Sequence, residues 1–409
     1  MLLRLYRMGG RLAAPALRLM LERRVKQGKE MRERLPERFG RTALARPAGG
    51  LVWLHAASVG EMMSILPVIQ AMAGRSEVLL TTGTVTSAKL AAARLPDFAR
   101  HQFVPLDVPG WVAAFLDHWR PDAAVFVESE LWPGMLDACD RRGIPRLLIN
   151  ARMSARSARN WERMPKLARR VLGPFRHVHA QSPGDAAHLR ALGVAGVLEW
   201  GNLKFFAPKL PVDEVKLAAL RGQIPGPVWL AASTHPGEEE LITQAHRDLL
   251  AAYPMLVTVI VPRHPERGAA IAAQAGAPRR SLGQMPVAGS VYVADTLGEL
   301  GLFFRACPFA FIGNSLVGFG GHNVIEPAIL GCAVITGPHN ENFVEAAARL
   351  RDAGALVEVA DAAGLARAVR NWLDDPDAVQ AAGAAAAAAF DATENLPARL
   401  ADLILACDL

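Results

Sequence analysis

Short apolar runs of three to six residues recur along the chain, most closed by a turn rich in Gly, Ser, Thr or Pro and followed by a helix-length stretch. One set falls at 51–56, 78–82, 103–106, 123–127, 147–150 and 177–180, and a second at 228–232, 256–261, 291–293, 309–312 and 332–336. Regular βα alternation of this kind implies a parallel sheet with helices on both faces. Between the sets, Gly201-Asn-Leu-Lys-Phe205 leads into Pro208, Pro211, Pro225 and Pro227, which reads as a hinge around one short helix. The chain is therefore expected to be α/β, with two doubly wound, Rossmann-like halves. Ligands of such sheets bind beyond the carboxyl ends of the strands, and two such edges can face one another across a cleft. The helical stretches 378–390 and 397–406 read as packing elements.

Charge is concentrated at the amino end. Residues 1–41 hold twelve Lys or Arg against four acids, a net +8, whereas the whole chain carries +6. Arg4, Arg7, Arg11 and Arg18 recur at helical spacing, with Leu2, Tyr6, Ala13, Leu17 and Met20 opposite. No run of 18 uncharged apolar residues is present, so a basic amphipathic helix on an anionic membrane surface is expected rather than a spanning one. The competing reading is a helix packed on its own domain with a solvated arginine face. Nucleic acid is the weaker partner class, because aromatic residues are not interleaved with the basic ones. Cys139, Cys307, Cys332 and Cys407 lie far apart, which argues against a zinc site or a disulfide framework.

The loops after the strands carry the chemistry. Gly318-Phe-Gly-Gly-His-Asn-Val-Ile-Glu-Pro327 follows an apolar run. A strand, a glycine loop and a helix start present free N–H groups to an anion, with Asn323 as N-cap and Glu326 in the first turn. An ordinary capped helix accounts for the same residues. Ser58-Val-Gly-Glu61 reads as a capping box, or else Glu61 is a general base whose proton affinity burial must raise. Glu128 and Glu130 point to one side if the extended geometry persists past 127. Lys204 sits in the hinge, where an ammonium either reaches an anion or is merely solvated. Arg263 follows its strand through Pro262 and is a phosphate ligand by type and place. His235 and His264 are lesser candidates for that edge, and His55 and His322 read equally as structural histidines. No acidic metal motif emerges, since Asp375-Pro-Asp377 sits in a late loop.

Taken together, Trp53-Leu-His-Ala-Ala-Ser-Val-Gly-Glu61, Val127-Glu-Ser-Glu-Leu-Trp-Pro133, Asn150-Ala-Arg-Met-Ser154, Gly201-Asn-Leu-Lys204, Ala232-Ser-Thr-His235, Val261-Pro-Arg-His-Pro265 and Gly320-Gly-His-Asn-Val-Ile-Glu-Pro327 resemble the 3-deoxy-D-manno-octulosonic acid (Kdo) transferases. The resemblance runs nearly the whole chain in order. It implies a GT-B glycosyltransferase with domains at 43–205 for the acceptor and 206–409 for the CMP-sugar, after a membrane-proximal basic segment at 1–42. The last helix can pack back on the first domain. It further implies an inverting enzyme, without metal or cofactor, that moves Kdo from CMP-Kdo to a lipid A precursor at the cytoplasmic face of the inner membrane. By motif, Glu61 is then the base, and Glu130 and Lys204 stabilise the transition state. CMP is held by Pro262 and Arg263, by Leu297, Gly298 and Glu299, and by Asn323, Val324, Ile325 and Glu326. UDP-sugar transferases and epimerases of the same fold are the nearest alternative.

Overall fold

A computed structural model describes residues 2–206, 208–318, 320–391 and 395–407. Phe319 of the glycine loop lies outside these. The chain forms two compact units, one of residues 1–208 with 392–409 and the other of 209–391.

The first unit is built on a parallel sheet of seven strands in the order β3-β2-β1-β4-β5-β6-β7. These are β1 (Leu51–His55), β2 (Glu77–Thr82), β3 (Ala99–Phe103), β4 (Ala123–Val127), β5 (Arg146–Ala151), β6 (Phe175–Ala180) and β7 (Val197–Leu198). Every residue of the central strands β1 and β4 is buried, as expected of strands covered on both faces. Trp53 of β1 packs on Phe115 and Phe126, with ring centroids 4.8 and 5.4 Å away. Strand order reverses between β1 and β4, which makes their carboxyl ends the crevice of this sheet. The expected strand at 103–106 lies earlier, at β3. As an edge strand β3 tolerates Arg100, His101 and Gln102, so an apolar-run criterion misses it. The two-residue β7 gives no such signal.

The first helix, Leu2–Lys26, runs through Pro15 without a break. It docks on the unit through buried Leu21 and through the Tyr6 hydroxyl, which donates to Asp107 at 2.8 Å. Arg7 lies 3.8 Å from Asp137, and Arg18 stands over the rings of Phe39 and Trp111. Two of the four stripe arginines thus serve the protein's own packing. The apolar residues left outward include Leu5, Met8, Leu12 and Leu19; of the side that spacing suggested, Tyr6, Ala13 and Met20 are exposed too, while Leu17 is half-buried. Beyond this helix, buried Arg38 bonds Glu30 and donates to the carbonyls of Gly83 and Val104. Among the described residues no helix is long and apolar enough to cross a membrane.

The last helix, Leu396–Leu405, belongs to the first unit. Its Leu396, Leu400, Ala401 and Ile404 are buried in one cluster with Met62, Ile65 and Ile69 of the helix Val59–Ala71.

The second unit holds a six-stranded parallel sheet, β10-β9-β8-β11-β12-β13. Its strands are β8 (Val228–Thr234), β9 (Val257–Pro262), β10 (Val291–Val293), β11 (Phe309–Ile312), β12 (Ala333–Thr336) and β13 (Leu356–Glu358). The order reverses between β8 and β11. The edge strand β13, Leu-Val-Glu, is only three residues long and went unrecognised in the sequence. Asp375 of the late Asp-Pro-Asp accepts the Ala378 N–H at 2.9 Å and caps the helix Pro376–Ala389.

Candidate active site

In the first unit, side chains converge beyond β1 and β4. Ser58 caps the helix Val59–Ala71 by accepting the Glu61 N–H at 3.3 Å. The Glu61 carboxylate turns back to accept the Ala57 N–H at 2.6 Å, one residue before the position a strict capping box uses. Burial raises the proton affinity of Glu61, and the charges of Glu128 and Glu130 add to it, against the Ala57 hydrogen bond and His55. The capping contact and a raised proton affinity therefore coexist in one side chain.

The extended geometry does not persist past β4. Glu128 takes a left-handed φ of 56°, and the chain turns there. Its carboxylate pairs with the Lys204 ammonium at 2.7 Å. Lys204 is thus not a solvated linker lysine. It sits in the short 3-10 turn Leu203–Phe206, which two asparagines fix. The Asn150 Oδ1 accepts the Leu203 N–H at 2.9 Å, and the Asn202 Oδ1 accepts the Lys204 N–H at 3.0 Å. Glu130 accepts from the Trp132 indole at 2.6 Å and lies 3.3 Å from the Nε2 of His55. Burial alone would push Glu130 up, but these two partners hold it below the usual carboxylate range. His55 is buried, with its Nδ1 3.0 Å from the Thr81 hydroxyl, so the ring both packs in the core and orients Glu130. A cavity of about 280 Å³ opens beside this group, lined in part by His55, Glu130, Trp132, Asp107, Met20 and Arg24.

In the second unit, the loops after β8, β9 and β11 bring Arg263, His235, His264, His322 and Glu326 to one edge. Burial raises the Glu326 carboxyl, against its hydrogen bond with Asn323 and the charge of Arg263. Pro262 ends β9 and is buried, while Arg263 is exposed. The glycine loop differs from expectation in two respects. Its helix, Ile325–Ala328, is a single turn with Val324 at the N-cap position, so it has almost no macrodipole. Asn323 stands one residue earlier and accepts the Ile325 N–H at 3.0 Å. Gly320 and Gly321 have φ of 88° and 73°, and a Cβ there would meet the Asn342 side chain at 2.6 Å and the His339 carbonyl at 2.8 Å. These glycines let the neighbouring loop close over their own turn.

Leu297, Gly298 and Glu299 lie beyond β10, two strands from the crevice. Two hydrogen bonds from Arg280, at 2.6 and 2.7 Å, hold Glu299 down at about 2. Its carboxylate is thus engaged within the protein, while the Leu297 side chain stands exposed.

Sequence reasoning gave Glu238 no role. It is fully buried, and its carboxylate accepts four backbone N–H groups, from His235, Asn314, Ser315 and Leu316, at 2.7–3.1 Å. It ties the β8 loop to the β11 loop. The available signal was its place at the start of the helix Glu238–Leu250, directly after a strand and a turn.

A family model described as 3-deoxy-D-manno-octulosonic-acid transferase (kdotransferase) matches residues 33–207. A probable mitochondrial 3-deoxy-D-manno-octulosonic acid transferase of Arabidopsis thaliana is 35% identical over 404 residues, covering 92% of this chain and 89% of the relative. The 3-deoxy-D-manno-octulosonic acid transferase of Haemophilus influenzae is 33% identical over 389 residues, 91% of each chain. Among solved structures, the UDP-GlcNAc 2-epimerase of Neisseria meningitidis bound to UDP-GlcNAc aligns with a TM-score of 0.59 at 14% identity, covering 88% of this chain and 99% of that one. That likeness concerns the fold, a two-domain α/β architecture of the GT-B type. With relatives of this identity matched along almost their full length, the chain belongs to the 3-deoxy-D-manno-octulosonic acid transferase family and is a glycosyltransferase.

Proposed function

We propose that this glycosyltransferase moves Kdo from CMP-Kdo to a lipid A precursor, a tetraacyl disaccharide bisphosphate, in building the inner core of lipopolysaccharide. The observation that carries the reading is Glu61, a partly buried carboxyl of raised proton affinity at the crevice of the first sheet. An acceptor hydroxyl gives its proton to Glu61 while its oxygen forms the new bond at the anomeric carbon of Kdo. The bond to CMP breaks on the opposite face and its electron pair leaves with the phosphate, so the centre inverts. A raised affinity makes Glu61 a better base than an ordinary glutamate. Glu130 and the Lys204–Glu128 pair stabilise charge beside it, and the adjacent cavity receives the acceptor.

The second unit holds the donor. Pro262 and Arg263, the backbone at 297–299 and Asn323–Val324–Ile325–Glu326 bind CMP, with Glu326 on the ribose diol and Arg263 on the phosphate. Cations and backbone N–H groups meet the leaving charge, so the reaction uses no metal and no cofactor. The +8 amino end and the outward Leu5, Met8, Leu12 and Leu19 favour an anionic bilayer, which supports a place at the cytoplasmic face of the inner membrane. Glu61→Ala is expected to abolish transfer from CMP-Kdo while CMP binding survives; undiminished transfer would remove Glu61 from the base role.

A further inference from the structure

At the carboxyl edge of the second sheet, the Nε2 atoms of His235 and His322 lie 2.9 Å apart, with the rings stacked at a centroid distance of 5.1 Å. Two imidazole nitrogens at that distance share one hydrogen: one ring donates and the other accepts. His235 follows β8, whereas His322 follows the glycine loop beyond β11, so the pair spans the point where strand order reverses.

The charges around the pair are unbalanced. Arg263 is exposed and makes no ion pair among the described residues. The acids of this edge are otherwise engaged. Glu238 receives four backbone N–H groups, Glu239 is held by Thr234 and by both terminal nitrogens of Arg267, and Glu326 bonds Asn323. His264 packs edge-on to His235 at 5.9 Å and reaches Glu266 at 3.8 Å. His339 lies near Gly318 and 3.5 Å from Glu341. Burial, with His235, Arg263 and His264 adding to it, pushes His322 down to about 4. Burial also lowers His235, assisted by His264 and Arg263 and opposed by Glu238 and Glu239. Without a ligand, burial and the neighbouring guanidinium disfavour the imidazolium form of either ring. An oxyanion placed there supplies the missing negative charge and favours the imidazolium.

We infer that His235 and His322 form an anion clamp that, with Arg263 alongside, binds an oxyanion of the donor and takes up one proton in doing so. The inference rests on the reading of this unit as the donor-binding one, and deepens it. The oxyanion is either the phosphate of CMP or the carboxylate of the sugar acid. The proton comes from solvent and forms one N–H bond. The resulting imidazolium then stands beside the phosphate as the sugar leaves it.

Isothermal titration of the full chain with CMP, in two buffers of different ionisation enthalpy, counts the protons. About one proton is expected to be taken up, with affinity rising up to about tenfold for each unit of pH lowered. The phosphate of CMP itself titrates near pH ~6, so His322→Gln provides the baseline, with His235→Asn as the second variant. Thermal melting confirms that each variant is folded. In both, the extra uptake is expected to vanish and CMP to bind at least about tenfold more weakly at the same pH. Free 3-deoxy-D-manno-octulosonate is the second probe: uptake with it and not with CMP assigns the clamp to the carboxylate. Equal uptake in wild type and both variants, or none with either probe, overturns the clamp while leaving the donor reading intact. Failure of the wild type to bind CMP at all sinks that reading, and the clamp with it.

Discussion

The Lys204 ammonium lies 2.7 Å from the Glu128 carboxylate, joining the turn beyond β4 to the turn after β7. Both side chains are largely withdrawn from solvent, and removing one partner of such a pair leaves an uncompensated charge. Lys204→Ala is therefore expected to cost about 3 kcal/mol or more in urea unfolding, and Glu128→Ala in the same chain to restore part of that. If Lys204 also acts in transfer, the double variant regains stability without regaining activity. A single Lys204 variant as stable as the wild type would show that the contact carries no structural weight.

The acid limb of the pH–rate profile tests Glu61 separately. A base works only when deprotonated, so activity is present above the proton affinity of Glu61 and is lost as pH falls through it. Because burial and two neighbouring carboxylates raise that affinity, the midpoint is expected above that of an ordinary glutamate. Glu130→Gln removes one neighbouring charge and is expected to move the limb of kcat/KM to lower pH. An unmoved limb would assign it to another group.

Glu238→Ala should unfold the second unit more readily than any surface substitution. Four N–H groups lose their acceptor together, and leaving buried donors unsatisfied costs about 1–3 kcal/mol for each that water cannot reach. A loss of about 3 kcal/mol or more in urea unfolding is expected, with Glu238→Gln milder because it keeps one accepting oxygen. A wild-type midpoint in both variants would mean that water replaces the carboxylate freely.

Leu12 is 80% exposed, and Leu5, Met8 and Leu19 are each more than half exposed on the same helix. Replacing Leu5, Met8 and Leu12 together by Ser should lower the melting temperature only slightly, since each is more than half exposed. Co-sedimentation with anionic vesicles is expected to weaken by about tenfold or more, given the apolar area withdrawn from the interface. Unaltered sedimentation would place membrane contact elsewhere on the protein.

Strand–helix alternation was legible because buried parallel strands are unbroken apolar runs, and the central strands obey that rule. It failed at β3, an edge strand where Arg100, His101 and Gln102 are tolerated, and at β13, which is only three residues long. Glu61 was legible as a motif and as a candidate base, but the surroundings that raise its proton affinity were not, since burial and two carboxylates more than sixty residues away, Glu128 and Glu130, produce it. His55 and Lys204 looked ambiguous for the same reason: their partners, Glu130 and Glu128, are set by the turn after β4. Glu238 was missed because no local pattern announces a carboxylate that bonds the loop of another strand.

The chain leaves the first unit near residue 208 and returns to it at 392. The core contact between the helix Leu396–Leu405 and the helix that carries Glu61 therefore cannot form during synthesis until the intervening residues have been made. Until then, Met62, Ile65 and Ile69 lack their covering partner. Loss of the helix Leu396–Leu405 would thus unsettle the helix that carries Glu61, although the two lie far apart along the chain.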